Sequence, residues 1–208
     1  MNVIRIICLL QLLLLGAFQP LTAQDARKEI RKYRKNQLRE ISRGEHAPLL
    51  KEDLKSVSFF DFAPEFRIEA KVERLTNEKP FSMPTYAGTT KEFIRFARLH
   101  FTIGGKSFAL TAYKNLSLPP AVAAMNTTYF IPFKDETNDE ESYGGGRYMD
   151  VSIPADTDMI LLDFNKAYNP YCAYSDGYRC PVPPFENHLP VAVPAGEKNY
   201  TGVKRTRR

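Results

Sequence analysis

Residues 93–113 read FIRFARLHFTIGGKSFALTAY. Two alternating runs, Phe93–Ile103 and Phe108–Tyr113, meet across Gly104-Gly105. A Gly-Gly pair between such runs predicts a β-hairpin. Working outward, Phe66, Ile68, Ala70 and Val72 alternate with Arg67, Glu69, Lys71 and Glu73, the pattern of a half-buried strand with one wet face. A Pro-containing stretch, 77–84, separates that strand from the hairpin. Downstream, Thr127–Phe133 and Tyr148–Ile153 read as strands. Met159–Phe164 is a continuous apolar run and is read as a central strand. Leu189–Val193, interrupted by Pro190, is read as the last strand. No helical period falls between them. The fold expected is mainly β, an antiparallel barrel or sandwich, with a loop-rich C-terminal third where Pro and Gly gather from 144 to 196. Fourteen Phe and eleven Tyr, with no Trp, suit pleated, half-buried surfaces.

Ahead of the strands the period changes. Over 25–43, Ile30, Tyr33, Leu38 and Ile41 share one helical face, and Gly44 supplies a stop. The other faces are basic, through Arg27, Lys28, Arg31, Lys32, Arg34, Lys35 and Arg39. The apolar stripe has no Trp or Phe to insert into a membrane, so a helix packed by one stripe is preferred over one lying on lipid. Before it, Ile6–Ala17 is apolar apart from Gln11, and Thr22-Ala23 precede polar Gln24-Asp25. That is the pattern of a secretory signal with cleavage near Ala23. The division expected is a signal at 1–23, a helix at 24–45, a β-rich domain at 46–203 and a basic tail at 204–208. Export to the periplasm or medium follows, with no transmembrane segment in the mature chain.

Beyond the signal, 28 of the 29 Lys and Arg remain against 24 Asp and Glu, and four of those cations sit at Lys204, Arg205, Arg207 and Arg208. The body is near neutral, which argues against a nucleic-acid partner. The tail is read as a frayed, solvated end. Cys172 and Cys180, an even pair in an exported chain, are read as a disulfide rather than a metal pair.

Three C-terminal blocks are distinctive: Tyr143–Asp150, with Gly144-Gly145-Gly146-Arg147 inside it; Leu162–Tyr174; and Cys180–Pro190 followed by Ala195-Gly196-Glu197-Lys198. With Ala47-Pro48-Leu49, Phe130-Ile131-Pro132-Phe133, Asp135, Thr137 and Glu141, they closely resemble the bacterial DUF1684 family, a domain of unknown function. The resemblance implies a β-rich fold and no particular reaction. Two departures stand out. The family usually has Gly in the acidic loop where this chain has Asn138-Asp139, and often Arg where it has His188.

Taken on their own chemistry, the candidates are these. Arg147, past the triple glycine, can grip a carboxylate or phosphate by two hydrogen bonds, although a structural pair with Asp150 or Asp163 is preferred. Asp163 and Asn165 flank Phe164 and share a face on a strand. Glu186-Asn187 follow Pro183-Pro184, which pin the backbone. A ligand site is therefore expected where Arg147, Asp163, Asn165, Tyr174, Glu186 and Asn187 converge, the partner being an unknown small molecule or envelope component. The alternative is a carboxylate-dependent hydrolase of an envelope glycan, peptide or lipid fragment, its acid and base drawn from Asp150, Asp163, Glu186 and Glu197, with Asp163 and Glu186 as the catalytic candidates. The triple glycine lacks the strand–turn–helix setting of a dinucleotide fingerprint. Three scattered histidines, His46, His100 and His188, do not make a zinc site, so no metal and no cofactor is expected. The acidic loop 135–141 is read as a solvated hairpin tip in preference to a calcium loop.

Overall fold

The computed structural model describes residues 23–119, 121–122 and 127–206. The predicted leader lies outside them, apart from Ala23. Helix α1, Ala23–Glu40, carries Asp25 in its first turn and Arg39 in its last, each of the sign that complements the helix dipole. Its buried stripe is Ala26, Ile30 and Gln37, continued by Ile41 in the turns beyond. Ala26 and Ile30 pack on Phe62, and Ile41 packs with Leu49, Ala173 and Tyr174. Arg27 and Arg34 lie over the rings of Phe62 and Phe59, so part of the basic face is also docked. Among the described residues no helix is long and apolar enough to cross a membrane.

Among the described residues seven strands follow: β1 Arg67–Arg74, β2 Phe81–Pro84, β3 Thr90–Ile103, β4 Lys106–Asn115, β5 Thr128–Phe133, β6 Arg147–Ser152 and β7 Met159–Asp163. They form one antiparallel sheet in the order β6-β5-β4-β3-β1-β7, with β2 on β3, curled into a half-barrel. The predicted hairpin is β3–β4, closed by Ile103 opposite Lys106. Gly104 and Gly105 have φ of +56° and +78°, the left-handed pair that a tight hairpin needs.

Two strand expectations are corrected. Met159–Asp163 lies at the sheet edge, not its centre, and pairs only with β1. Its outward Met159 and Leu161 are each 48% exposed, so the unbroken apolar run reflects composition on a wet face rather than burial on both sides. Leu189–Val193 is not a strand. Pro190 has no N–H to give a ladder, and the backbone of Val193 is engaged by Asp135 and Arg147.

A bulge in β3 divides the interior. The register runs Ala97↔Ala112 and then Arg95↔Tyr113, leaving Phe96 as the extra residue. On one side of that point Ala97, Leu99 and Phe101 join the main core with Leu110, Ala112, Ile131, Phe133, Met149, Leu162 and Phe164. On the other side Phe93 joins a separate cluster with Met83 and Tyr113, flanked by Phe81 and Phe130. One extra residue moves the same parity of side chains to the opposite face. The sheet thus presents a filled face and, toward β6, a second face that α1 and the loop after β7 roof over.

Candidate functional site

The six predicted residues do not share one hollow. Arg147 is wholly buried and pairs with Asp135 (Nη2 to Oδ2, 2.7 Å), not with Asp150 or Asp163. Its other donations go to the carbonyls of Val193 (2.9 Å), Ala195 and Glu197 (3.3 Å) and to the Thr137 hydroxyl (3.4 Å). The rings of Phe60 and Phe133 flank the guanidinium. This is a staple that fixes segment 193–197 to the barrel. It corrects the reading of the acidic loop as solvated at two positions: Asp135 and Thr137 are buried, with Thr137 donating back to Asp135, while Glu136, Asp139, Glu140 and Glu141 are exposed as expected. Gly146 allows the approach, because a Cβ there would lie 2.6 Å from the Phe133 carbonyl and its φ is +85°.

Asp163 accepts from Arg67 (2.5 Å) and caps the short turn Phe164–Lys166 through the Asn165 amide (3.1 Å). Asn165 exchanges two hydrogen bonds with the Ala63 backbone. Asn187 does the work of a strand peptide: it accepts from Thr111 N–H (2.7 Å) and donates to the carbonyls of Thr111 and Pro132. It fills a gap between β4 and β5, whose ladder pairs only Tyr113 with Phe130. Glu186, half-buried, accepts from Arg95 (2.9 Å) and Tyr113 (2.5 Å). Asp163 ends β7 and Glu186 lies over β4, with β3 and β1 between them. The two carboxylates therefore do not face one another across a cleft. Tyr174 is buried with its hydroxyl on Glu197.

Glu197 is a further buried ionisable group, outside the six residues of the expected ligand site. It is fully buried, and it accepts from Tyr174, from Gln37 of α1 (2.7 Å) and from the backbone and side-chain nitrogens of Asn169 (3.1 Å each). Burial pushes its carboxyl up to about 7, against the pull of those donors. The Gln37 Oε1 beside it has no partner. Gly196 precedes it at φ +83°, where a Cβ would lie 2.6 Å from the Ala167 carbonyl.

The concave feature lies elsewhere. A cavity of about 700 Å³ opens between α1, the second face of the sheet and the loop 168–181. The strands contribute Lys91, Phe93, Tyr113, Phe130, Tyr148 and Asp150, the helix Tyr33, Asn36 and Glu40, and the loop Tyr168, Tyr171, Tyr178 and Arg179. None of the six predicted residues lines it. Cross-strand pairing explains the wall: Arg95, Tyr113, Phe130 and Asp150 stand opposite one another across β3 to β6, and Tyr148 is two residues from Asp150. Phe130, Tyr148 and Tyr168 meet edge to face, at 4.7 and 5.9 Å between ring centres. Cys172 and Cys180 are paired as predicted, with Cα atoms 6.2 Å apart, and pack behind Tyr148.

The cavity is polarised. Asp150 accepts from the Tyr168 hydroxyl (2.6 Å), and burial raises its carboxyl nonetheless. Both groups are reached by water yet closely surrounded by protein, as on the wall of a hollow. Away from Asp150, Lys91 of β3 has Arg179 of the loop as a neighbouring charge. Burial, and then the charge of Arg179, pull the Lys91 ammonium down. Among the described residues no cluster of His, Cys, Asp or Glu could hold a metal.

Residues 52–198 match DUF1684, described as a protein of unknown function. No curated protein matches the chain. Among solved structures, the solution NMR structure of an uncharacterized protein of Haloarcula marismortui is 34% identical, with 84% of this chain and 95% of that chain covered and a TM-score of 0.66. The matched stretch contains the whole sheet, the Arg147 staple, the disulfide and Glu197. The chain belongs to the DUF1684 family.

Proposed function

We propose that this protein is an exported small-ligand-binding β domain whose site is the cavity beneath helix α1. The observation that carries the reading is the cavity itself: about 700 Å³, within the range that takes a small molecule, with six tyrosines and a few charged groups on its walls. The residues singled out in the sequence are engaged with other protein groups and do not line the cavity, so the binding role moves to Asp150, Tyr148, Tyr168, Lys91 and Arg179. Export is supported by the apolar run with its small-residue boundary and by the Cys172–Cys180 pair, which suits an oxidising compartment. Intact mass of the exported protein should lack residues 1–23.

The binding reading is tested by thermal shift against a panel of small aromatic compounds, since a ligand of the folded state raises its melting point. Asn36 is exposed on α1 and faces the cavity. Asn36→Trp fills that space without disturbing a buried contact. Compounds that raise the melting point of the native protein should leave Asn36→Trp unmoved. A panel in which every shift persists in Asn36→Trp would place binding outside the cavity.

A further inference from the structure

This inference rests on the cavity reading and names the chemistry of what it holds. The walls present ring surfaces more than free hydroxyls. Of the six tyrosines, Tyr33 donates to the Lys166 carbonyl, Tyr113 to Glu186, Tyr148 to the Pro181 carbonyl, Tyr168 to Asp150 and Tyr178 to the His46 carbonyl. Five of the six hydroxyls are thus committed to the protein. A sugar-like ligand needs many unpaired donors and acceptors. A flat apolar body needs ring faces and edges, which Phe93, Phe130, Tyr148 and Tyr168 supply.

The charged groups on the walls are not equivalent. Asp150 already accepts a hydrogen bond from Tyr168. Glu40 sits on the exposed helical rim. Lys91 and Arg179, by contrast, have no carboxylate partner among the described residues. Arg179 donates through Nε to the Thr89 hydroxyl (2.9 Å) and through one terminal nitrogen to the Thr90 carbonyl (3.1 Å), both neutral acceptors. Those two bonds fix the guanidinium against the start of β3, one residue from Lys91, and leave its other terminal nitrogen uncommitted. Two cations held side by side without a counter-charge repel one another, and a bound anion relieves that repulsion. We infer that the cavity takes a small molecule with an aromatic or similarly flat apolar body and one carboxylate or phosphate, the anion lying between Lys91 and Arg179 and the body against Phe130, Tyr148 and Tyr168.

The test uses four probes of similar size on the protein with its helix in place: benzoate, phenyl phosphate, benzyl alcohol and benzylammonium. Affinities are read by ligand-observed NMR titration at low salt. The anionic probes should bind more tightly than the alcohol, and the better of the two decides between carboxylate and phosphate. Lys91→Gln with Arg179→Gln should weaken the anionic probes at least roughly tenfold and leave benzyl alcohol unchanged. Both positions are polar and not buried, so the double variant should keep the native melting point. Tighter binding of benzylammonium, or anion binding that survives in the double variant, would overturn the inference while leaving a cavity that binds the alcohol. Loss of all four probes, or binding of all four that is unaltered in Asn36→Trp, would overturn the cavity reading as well.

Discussion

Two buried residues, each following a left-handed glycine, hold the C-terminal third in place. Arg147 carries a full charge into the interior and answers it with Asp135 and three carbonyls. Removing one member of such a pair strands the other, at a cost of about 3–5 kcal/mol. Arg147→Met should lower stability by that amount in urea titration, and pairing it with Asp135→Leu should recover part of the loss. A smaller effect is expected at Asp139, whose φ is +71°. An L-residue is strained in that left-handed conformation, which glycine adopts freely. Asp139→Gly should therefore raise stability by a few tenths of a kcal/mol to about 1 kcal/mol, read as a higher urea midpoint.

Between β4 and β5 a single side chain stands in for ladder hydrogen bonds. The pairing there is limited to Tyr113 and Phe130, and Pro132 has no N–H to contribute. Asn187 supplies a donor and an acceptor in the same positions as a peptide would. Asn187→Ala would leave the Thr111 N–H and two carbonyls buried without partners. The loss expected is about 3 kcal/mol or more. Amide hydrogen exchange offers a local check: the Thr111 amide should exchange through global unfolding in the native protein and much faster in the variant. Unchanged protection of Thr111 would mean the strands close on each other directly.

Glu197 sits where three parts of the molecule meet: Gln37 of α1, Asn169 and Tyr174 of the loop after β7, and the stapled segment 193–197. Its carboxyl is held at about 7 against an ordinary 4.5. Below pH 4.5 both folded and unfolded chains bind the proton and the stabilisation is complete. As pH rises through 7 the folded chain must give up a proton that the unfolded chain has already lost, so stability falls. The full difference is on the order of 3 kcal/mol. The urea midpoint should therefore fall between pH 5 and pH 8, and Glu197→Gln should flatten the profile. Asp150 is raised in the same sense, and Asp150→Asn separates its share. Carboxyls held low, Asp53 and Glu29, act in the opposite direction and at lower pH. At the basic end Lys204 pairs with Asp176 (2.9 Å) and Arg205 with Asp53 (2.6 Å), so those two residues are not frayed, while Arg207 and Arg208 lie outside the described residues.

Six of the seven strands, the hairpin at Gly104-Gly105, the N-terminal helix, the disulfide and the family were legible in the chain, because each depends on residues close together or on a spaced motif; the short β2, within the stretch 77–84, was not. The roles of the six candidate residues were not legible. Arg147 and Asn187 look like ligand contacts in one dimension, and only folding brings them against Asp135, Val193 and Thr111. The bulge at Phe96 is hidden for a related reason. The odd-numbered positions from Phe93 to Phe101 keep an unbroken period of two, yet the extra residue sends Phe93 and Arg95 to one face and Ala97 to Phe101 to the other. Periodicity fixes where a side chain points relative to its neighbours along the strand. Which partner meets it, and whether it faces a packed core or an open cavity, is decided by long-range pairing that no local spacing records.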